Sequence, residues 1–274
     1  MAIITISRQV GSLGDEIAQG LATECGYRLL TPHDFQEAAA RYDPDLSARL
    51  EHFFKDEGPG FFERFFFSSA VYQSLYEALV FELAARRRVV IVGRGAQIVL
   101  RDIKQVFRVR VVAPTHRRVL YLSGAHGVSA DEALEYLRKH DHRRDALIRQ
   151  IYAKDPDHWR LYDMILNTGR LDVAAGVRSI RAAVEEIMRL YPMEEAPPVL
   201  LGMALGKRVE AKLRMEPHAW REVEVLGQPD GGVILRGTVS SQQDSRRAAE
   251  LAASQPGVTG VVNELRYAVF GYGN

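Results

Sequence analysis

The sequence predicts an α/β fold, a parallel sheet flanked by helices, followed by a smaller α+β segment. Three observations predict it. Short, fully apolar runs alternate with long helix-like stretches over the first two thirds of the chain. Each of those runs closes at a turn carrying Gly, Ser or Asn. Prolines then cluster at 191–199, Tyr-Pro-Met-Glu-Glu-Ala-Pro-Pro-Val, beyond which the strands become alternating rather than wholly apolar. Buried apolar strands interleaved with helices imply a parallel sheet covered on both faces.

Residues 3–6 form a short, β-branched first strand, followed by Gly11-Ser12-Leu13-Gly14. Ile17, Ala18, Leu21 and Ala22 then recur on one helical face. An amphipathic stretch at 69–86 precedes Val89-Val90-Ile91-Val92, a strand that ends at Gly93-Arg94-Gly95. Residues 107–112 alternate through Arg108 and Arg110 and end apolar at Val111-Val112-Ala113. The helix predicted at 130–151 opens with Ser129 and Glu132, a capping box. A last short run, 164–166, ends at Asn167-Thr168-Gly169, and a helix at 173–190 follows. Ligands of such sheets bind beyond the carboxyl ends of the strands. The turns at 7–14, 93–95 and 167–169 all lie there.

The second segment reads helix, strand, strand, helix, strand. Leu205, Val209 and Leu213 share one helix face. Val223 and Val225 alternate with charge, and Gly227 to Gly232 punctuates a hairpin. Val233, Leu235, Gly237 and Val239 continue the pattern, Ser241 with Asp244 caps an Ala-rich helix, and 261–265 is the last strand. The prediction is a domain at 1–191, a Pro-rich linker at 192–200 and a second domain at 201–270.

Composition narrows the function classes. The chain has 274 residues, 47% hydrophobic and 26% charged, with a formal charge of +1. That is a globular profile, and bulk charge points to neither nucleic acid nor membrane. No window reaches the ~20 apolar residues of a membrane-spanning helix. The start, Met-Ala-Ile-Ile-Thr-Ile-Ser-Arg, lacks the features of a signal peptide. With one cysteine, Cys25, no internal disulfide forms, and a cytoplasmic protein is the expectation. The eight histidines show no metal spacing, and no Gly-x-Ser-x-Gly elbow marks a serine nucleophile.

The chemistry lies in the turns. A Gly/Ser loop feeding a helix offers backbone N–H groups and a positive helix end to an anion, so Gly11, Ser12, Leu13 and Gly14 are candidate phosphate-binding residues. The alternative is a tight turn that needs glycine. The loop is not a Walker A motif, because Asp15-Glu16 follow Gly14 and the lysine is missing. Arg8 is the nearest cation and a substitute for it. Arg94, between two glycines, supplies a fork for an oxyanion, although taken alone it reads as a turn arginine. The stretch Arg138-Lys139-His140-Asp141-His142-Arg143-Arg144 is rich in cations, and a solvated helix face is its plain reading. The aromatic residues from Phe53 to Phe67 read first as packing, with a partner or dimer surface as the alternative.

These pieces carry a resemblance. Val90-Ile-Val-Gly-Arg-Gly-Ala96, residues 106–113, Pro114 and Arg118 resemble the central block of bacterial cytidylate kinases. The opening, Ile4-Thr5-Ile6-Ser7-Arg8 with the loop to Gly14, is similar to the cytidylate kinase-like subfamily. Tyr162-Asp163-Met-Ile-Leu-Asn-Thr168 matches the segment before the last helix. Over residues 1–190 the resemblance implies a P-loop nucleoside monophosphate kinase fold that uses ATP and Mg²⁺ to phosphorylate CMP or dCMP. It implies that Arg94 holds the acceptor phosphate, that Asp163 and Asp34 meet the acceptor nucleotide, and that Arg144 bridges donor and acceptor. Arg8, Arg94 and Arg144 would then be the catalytic cations. The competing expectation is a nucleotide sensor that has lost turnover. Asp230-Gly-Gly-Val-Ile-Leu-Arg-Gly-Thr-Val239 and Pro256-Gly-Val-Thr-Gly-Val-Val-Asn263 resemble a BON domain, which implies docking to a membrane surface or a protein partner.

Overall fold

Five strands form a parallel sheet in the order β2-β3-β1-β4-β5: β1 (Ile3–Arg8), β2 (Arg28–Leu30), β3 (Val89–Val92), β4 (Val106–Val112) and β5 (Met164–Asn167). The computed structural model describes residues 2–42, 70–93, 95–216, 220 and 222–267 of the chain. The described residues within 1–64 and 86–194 form one compact unit and those within 65–85 and 195–274 a second.

In the first unit β1 is central, paired with β3 on one side (Ile4 opposite Val90) and β4 on the other (Ser7 opposite Arg110). Its first five residues are buried, as a strand covered on both faces requires. Helices α1 (Gly14–Cys25), α2 (Pro32–Ala40), α4 (Ala96–Val99), α5 (Thr115–His126), α6 (Ala130–Tyr152) and α7 (Val173–Leu190) connect or follow the strands, with α3 (Ala70–Ala84) between α2 and β3. Ile17, Ala18 and Leu21 of α1 and Val177, Ile180 and Val184 of α7 share one core with Ile4, Ile6, Val109, Val111 and Leu166 of the sheet. Truncating one of the larger side chains to Ala costs about 2–5 kcal/mol. Ser129 caps α6 in the expected box with Glu132.

The second unit holds α3, α8 (Ala196–Arg214), β6 (Glu224–Gly227), β7 (Gly232–Val239), α9 (Gln242–Ala253) and β8 (Gly260–Tyr267). β6 and β7 are antiparallel, and β7 and β8 parallel. Leu205, Val209 and Leu213 of α8 pack with Val225, Val233, Leu235, Ala248 and Leu265 around Trp220.

Two sequence expectations differ from this arrangement. The stretch at 69–86 is not amphipathic. Leu75, Tyr76, Ala78, Leu79, Val80, Phe81, Leu83 and Ala84 of α3 are all buried, so the helix is covered all round, and it packs on α8 in the second unit. Polar groups fix that pairing. Glu210, 1% exposed, accepts from Ser74 Oγ at 2.9 Å and the Val225 amide at 3.2 Å, and pairs with Arg214 at 2.8 Å. Lys207 bridges Glu77 and Glu210. The Pro-rich stretch at 192–200, read as a linker, is mostly helical. A 3₁₀ turn (Met193–Glu195) leads straight into α8, whose first turn holds Pro197 and Pro198. Proline is tolerated there, because first-turn amides have no intrahelical acceptor to lose.

Candidate functional site

The loop between β1 and α1 lies at the carboxyl edge of the sheet. Gln9 N–H donates to the Val111 carbonyl at 3.1 Å and Gln9 Oε1 accepts the Ala113 amide at 3.2 Å. The Ser12 hydroxyl donates to Gln9 O at 2.9 Å and Val111 O at 3.2 Å, while Thr168 Oγ1 donates to Ser12 O at 2.8 Å. Ser12 therefore sits in the loop with its hydroxyl turned inward, buried, holding the turn to β4. Leu13 adopts φ +63°, a left-handed backbone that L residues take at a cost of about 1–2 kcal/mol. Helix α1 begins at once at Gly14 with no side-chain cap. The first-turn amides of Gly14, Asp15 and Glu16 thus have no intrahelical partner, the arrangement with which helix N-termini can cradle an anion.

Laid on the Walker pattern Gly-x-x-x-x-Gly-Lys, the loop runs from Arg8 to Leu13, and the lysine position falls on Gly14 rather than on Asp15. Arg8 crosses that position. A Cβ on Gly14 would stand 2.5 Å from Arg8 Cβ, and one on Gly93 would stand 2.6 Å from Arg8 Nη1. The two glycines make a channel for the arginine side chain, which reaches the mouth of the helix from the opposite end of the loop. Its Nε donates to Asp15 at 3.1 Å, so the carboxylate beside the cradle is matched by a cation.

Next to the loop, Ser7, Arg8, Gly93, Gly95, Arg110 and Arg144 line one cavity, together with Gln97, Asp145, Leu147, Ile148 and Pro156. Arg110 was not singled out from sequence as a site residue. It rises from β4 with 6% exposure, donates from Nη1 to Ser7 Oγ and from Nη2 to Asp157, both at 2.8 Å, and lies over the Tyr162 ring. Its buried Nε has no hydrogen-bond partner among the described residues. The Tyr162 hydroxyl donates to the Pro156 carbonyl at 2.7 Å, and burial pushes it up from its ordinary value. Burial also pushes the Asp145 carboxyl up, aided by Asp157 and Asp141 and opposed by Arg110 and Arg149.

Arg94 lies outside the described residues, as does the aromatic stretch at 53–67; the neighbours of Arg94, Gly93 and Gly95, both line the cavity. Asp34 and Asp163 do not. Asp34 is the third residue of α2 and forms a capping box with Thr31, whose amide and hydroxyl donate to it at 2.8 Å, and it also pairs with Arg28. Burial pushes its carboxyl up, but Thr31 and Arg28 outweigh burial and leave it below the usual value. Asp163 precedes β5, at the amino edge of the sheet. It accepts the Arg108 amide at 2.9 Å and is gripped by that guanidinium at 2.6 and 3.0 Å. Asp34 follows the carboxyl end of β2 with its oxygens taken by Thr31 and Arg28, whereas Asp163 is held by Arg108 at the opposite edge of the sheet. No group of three or more His, Cys, Asp or Glu suited to a metal ion occurs among the described residues. None of their helices is long and apolar enough to cross a membrane.

A five-stranded parallel sheet flanked by helices, with a Gly/Ser loop after its first, central strand, makes up the first unit. The sequence model of the cytidylate kinase-like family matches residues 3–170, more than half of the chain, and the chain belongs to that family. The BON domain matches residues 205–269. An uncharacterized protein from Eubacterium ventriosum superposes with a TM-score of 0.50 at 19% identity, over 68% of this chain and 99% of that one. A shikimate kinase from Bacteroides thetaiotaomicron gives a TM-score of 0.39 at 15% identity, over 67% and 98%. A uronate isomerase of Corynebacterium glutamicum is 26% identical over 104 residues, which is 38% of this chain but only 20% of the length of that relative.

Proposed function

We propose that the chain transfers a phosphoryl group from ATP to a nucleoside monophosphate, with CMP or dCMP as the acceptor. The observation that carries the reading is the convergence of Arg8, Arg110 and Arg144 on one cavity beside the amide cradle of α1. Two neighbouring polyanions need such a site, and in-line transfer needs positioning and charge neutralisation rather than a covalent nucleophile. The cradle and Arg8 take the donor phosphates. Arg110 and Arg144, with Arg94 between the two lining glycines, take the acceptor phosphate and the charge on the moving group.

The residues present fit ATP, because Arg8 restores a cation where the lysine is missing. They fit Mg²⁺ through Asp15, a carboxylate at the mouth of the cradle; Mg²⁺ takes one or two such oxygens and draws the rest from phosphates and water. When bound it supplies neutralisation of the phosphate charge. The BON segment serves as an interaction module for a membrane surface or a protein partner.

One observation favours a second reading, a nucleotide sensor without turnover: the loop cation is paired with Asp15 and enters from Arg8, not from the first turn of the helix. A coupled ADP-release assay with CMP, dCMP, UMP and AMP decides. Turnover with CMP or dCMP above the others supports the kinase; measurable nucleotide binding with no turnover on any acceptor supports the sensor.

A further inference from the structure

We propose that Asp141 is a positioning residue that latches the helix carrying Arg144 onto the phosphate loop; the inference rests on the phosphoryl-transfer reading. Asp141 sits midway along α6. Its Oδ1 accepts the Val10 backbone N–H at 2.9 Å, and its Oδ2 accepts Arg118 Nη1 at 2.5 Å. The same guanidinium nitrogen of α5 donates to the Val10 carbonyl at 3.2 Å. One carboxylate thus joins the loop, α5 and α6, and both polar groups of Val10 are gripped. The Arg118 side chain is 9% exposed and that of Asp141 22%, so the pair is largely shielded from water, where charge-assisted hydrogen bonds are strong.

Residues three and four positions on from Asp141 share its helix face. They are Arg144 and Asp145, which both line the cavity. The first half of the helix is also tied to the loop by apolar contact, where Ala133 and Leu137 pack with Val10 and Leu122. Asp141 adds a polar fastening between that apolar half and the turn that carries Arg144. Without it α6 keeps its first half docked while the turn bearing Arg144 swings. Arg144 would then lose its alignment with the moving phosphoryl group, and kcat would fall while acceptor binding by the sheet side of the cavity persists.

The test compares wild type, Asp141→Ala, Asp141→Asn and Arg118→Lys by amide hydrogen exchange without nucleotide and by steady-state transfer from ATP to CMP. Asp141→Ala should speed exchange at 8–14 and 140–152 at least tenfold and lower kcat at least 30-fold, with KM for CMP within threefold. Asp141→Asn keeps an acceptor for Val10 and should fall in between; it and Arg118→Lys carry the test if the alanine variant does not fold. Unchanged exchange in both segments overturns the latch, and so does a raised KM at wild-type kcat. A wild-type chain inert toward every acceptor sinks the kinase reading instead, and exchange then judges the latch alone.

Discussion

Glu210 offers the sharpest test of how the chain is partitioned. Its carboxylate is buried where α3, α8 and β6 meet, and it holds Ser74, Val225, Lys207 and Arg214. Glu210→Gln leaves one acceptor where two served Ser74 and Val225, and leaves Arg214 without its nearest counter-charge. A buried donor left unsatisfied costs about 1–3 kcal/mol. A buried ion pair broken on one side costs about 3–5 kcal/mol. Arg214 is 18% exposed on its side chain and keeps some solvation, so the lower part of that range, about 3 kcal/mol, is expected. Ser74→Ala should cost about 1–2 kcal/mol, since its hydroxyl also accepts from Arg214 at 2.6 Å. Because the groups touch, the double variant should show a coupling of at least about 0.5 kcal/mol. The assay is urea unfolding followed by Trp220 fluorescence, with the exposed Trp159 replaced by Phe. A cost below about 1 kcal/mol for Glu210→Gln, with additive singles, would refute the assignment of α3 to the second unit.

Three further outcomes are expected. Gly14→Lys alone should fold poorly, because its Cβ meets Arg8, whereas Arg8→Gly with Gly14→Lys should bind ATP within tenfold of wild type and Arg8→Gly alone at least 30-fold more weakly; calorimetric titration measures all three, and equal affinities would show that Arg8 is no phosphate ligand. Asp34 has a depressed carboxyl value, so its contribution is present above the unfolded value of about 3.9 and is lost as pH falls through the folded one. Asp34→Asn should therefore lower the urea midpoint at pH 7, with the gap to wild type closing below about pH 4; a gap that does not change with pH contradicts the pairing. Asp163→Asn should leave kcat within twofold and lower stability by about 1.5–3 kcal/mol, the scale of one charge-assisted hydrogen bond; a large loss of turnover would return Asp163 to the site.

Much of the fold was legible because covered parallel strands are written as unbroken apolar runs. β3 follows that rule, β1 departs from it at Thr5 and Ser7, and β5 is a short apolar run at the sheet edge with Ile165 exposed; the turns at their carboxyl ends carry the loop, Gly93 and Thr168. β2 was missed because three residues beginning with Arg28 make no run, although Thr31 with Asp34 already spelled a helix cap. Arg110 had a signal that went unused: a charge within a strand whose neighbours are apolar points into a doubly covered sheet, where it needs a purpose. Asp163 precedes the strand read at 164–166, so the carboxyl-end rule already set it at the far edge, and only the family resemblance drew it into the site. Asp141 was submerged in a run of cations, and only contact with Val10 separates it from a solvated face. The membership of α3 depends on Glu210, 136 positions from Ser74 in sequence, a distance no local pattern spans.

A structure of the full chain with CMP and a non-hydrolysable ATP analogue measures the central arrangement. Donor phosphates should lie within hydrogen-bond distance of the first-turn amides of α1 and of Arg8, and the CMP phosphate should contact Arg110 and Arg144 in the same cavity. Nucleotides seated elsewhere, with those three guanidinium groups untouched, would contradict it.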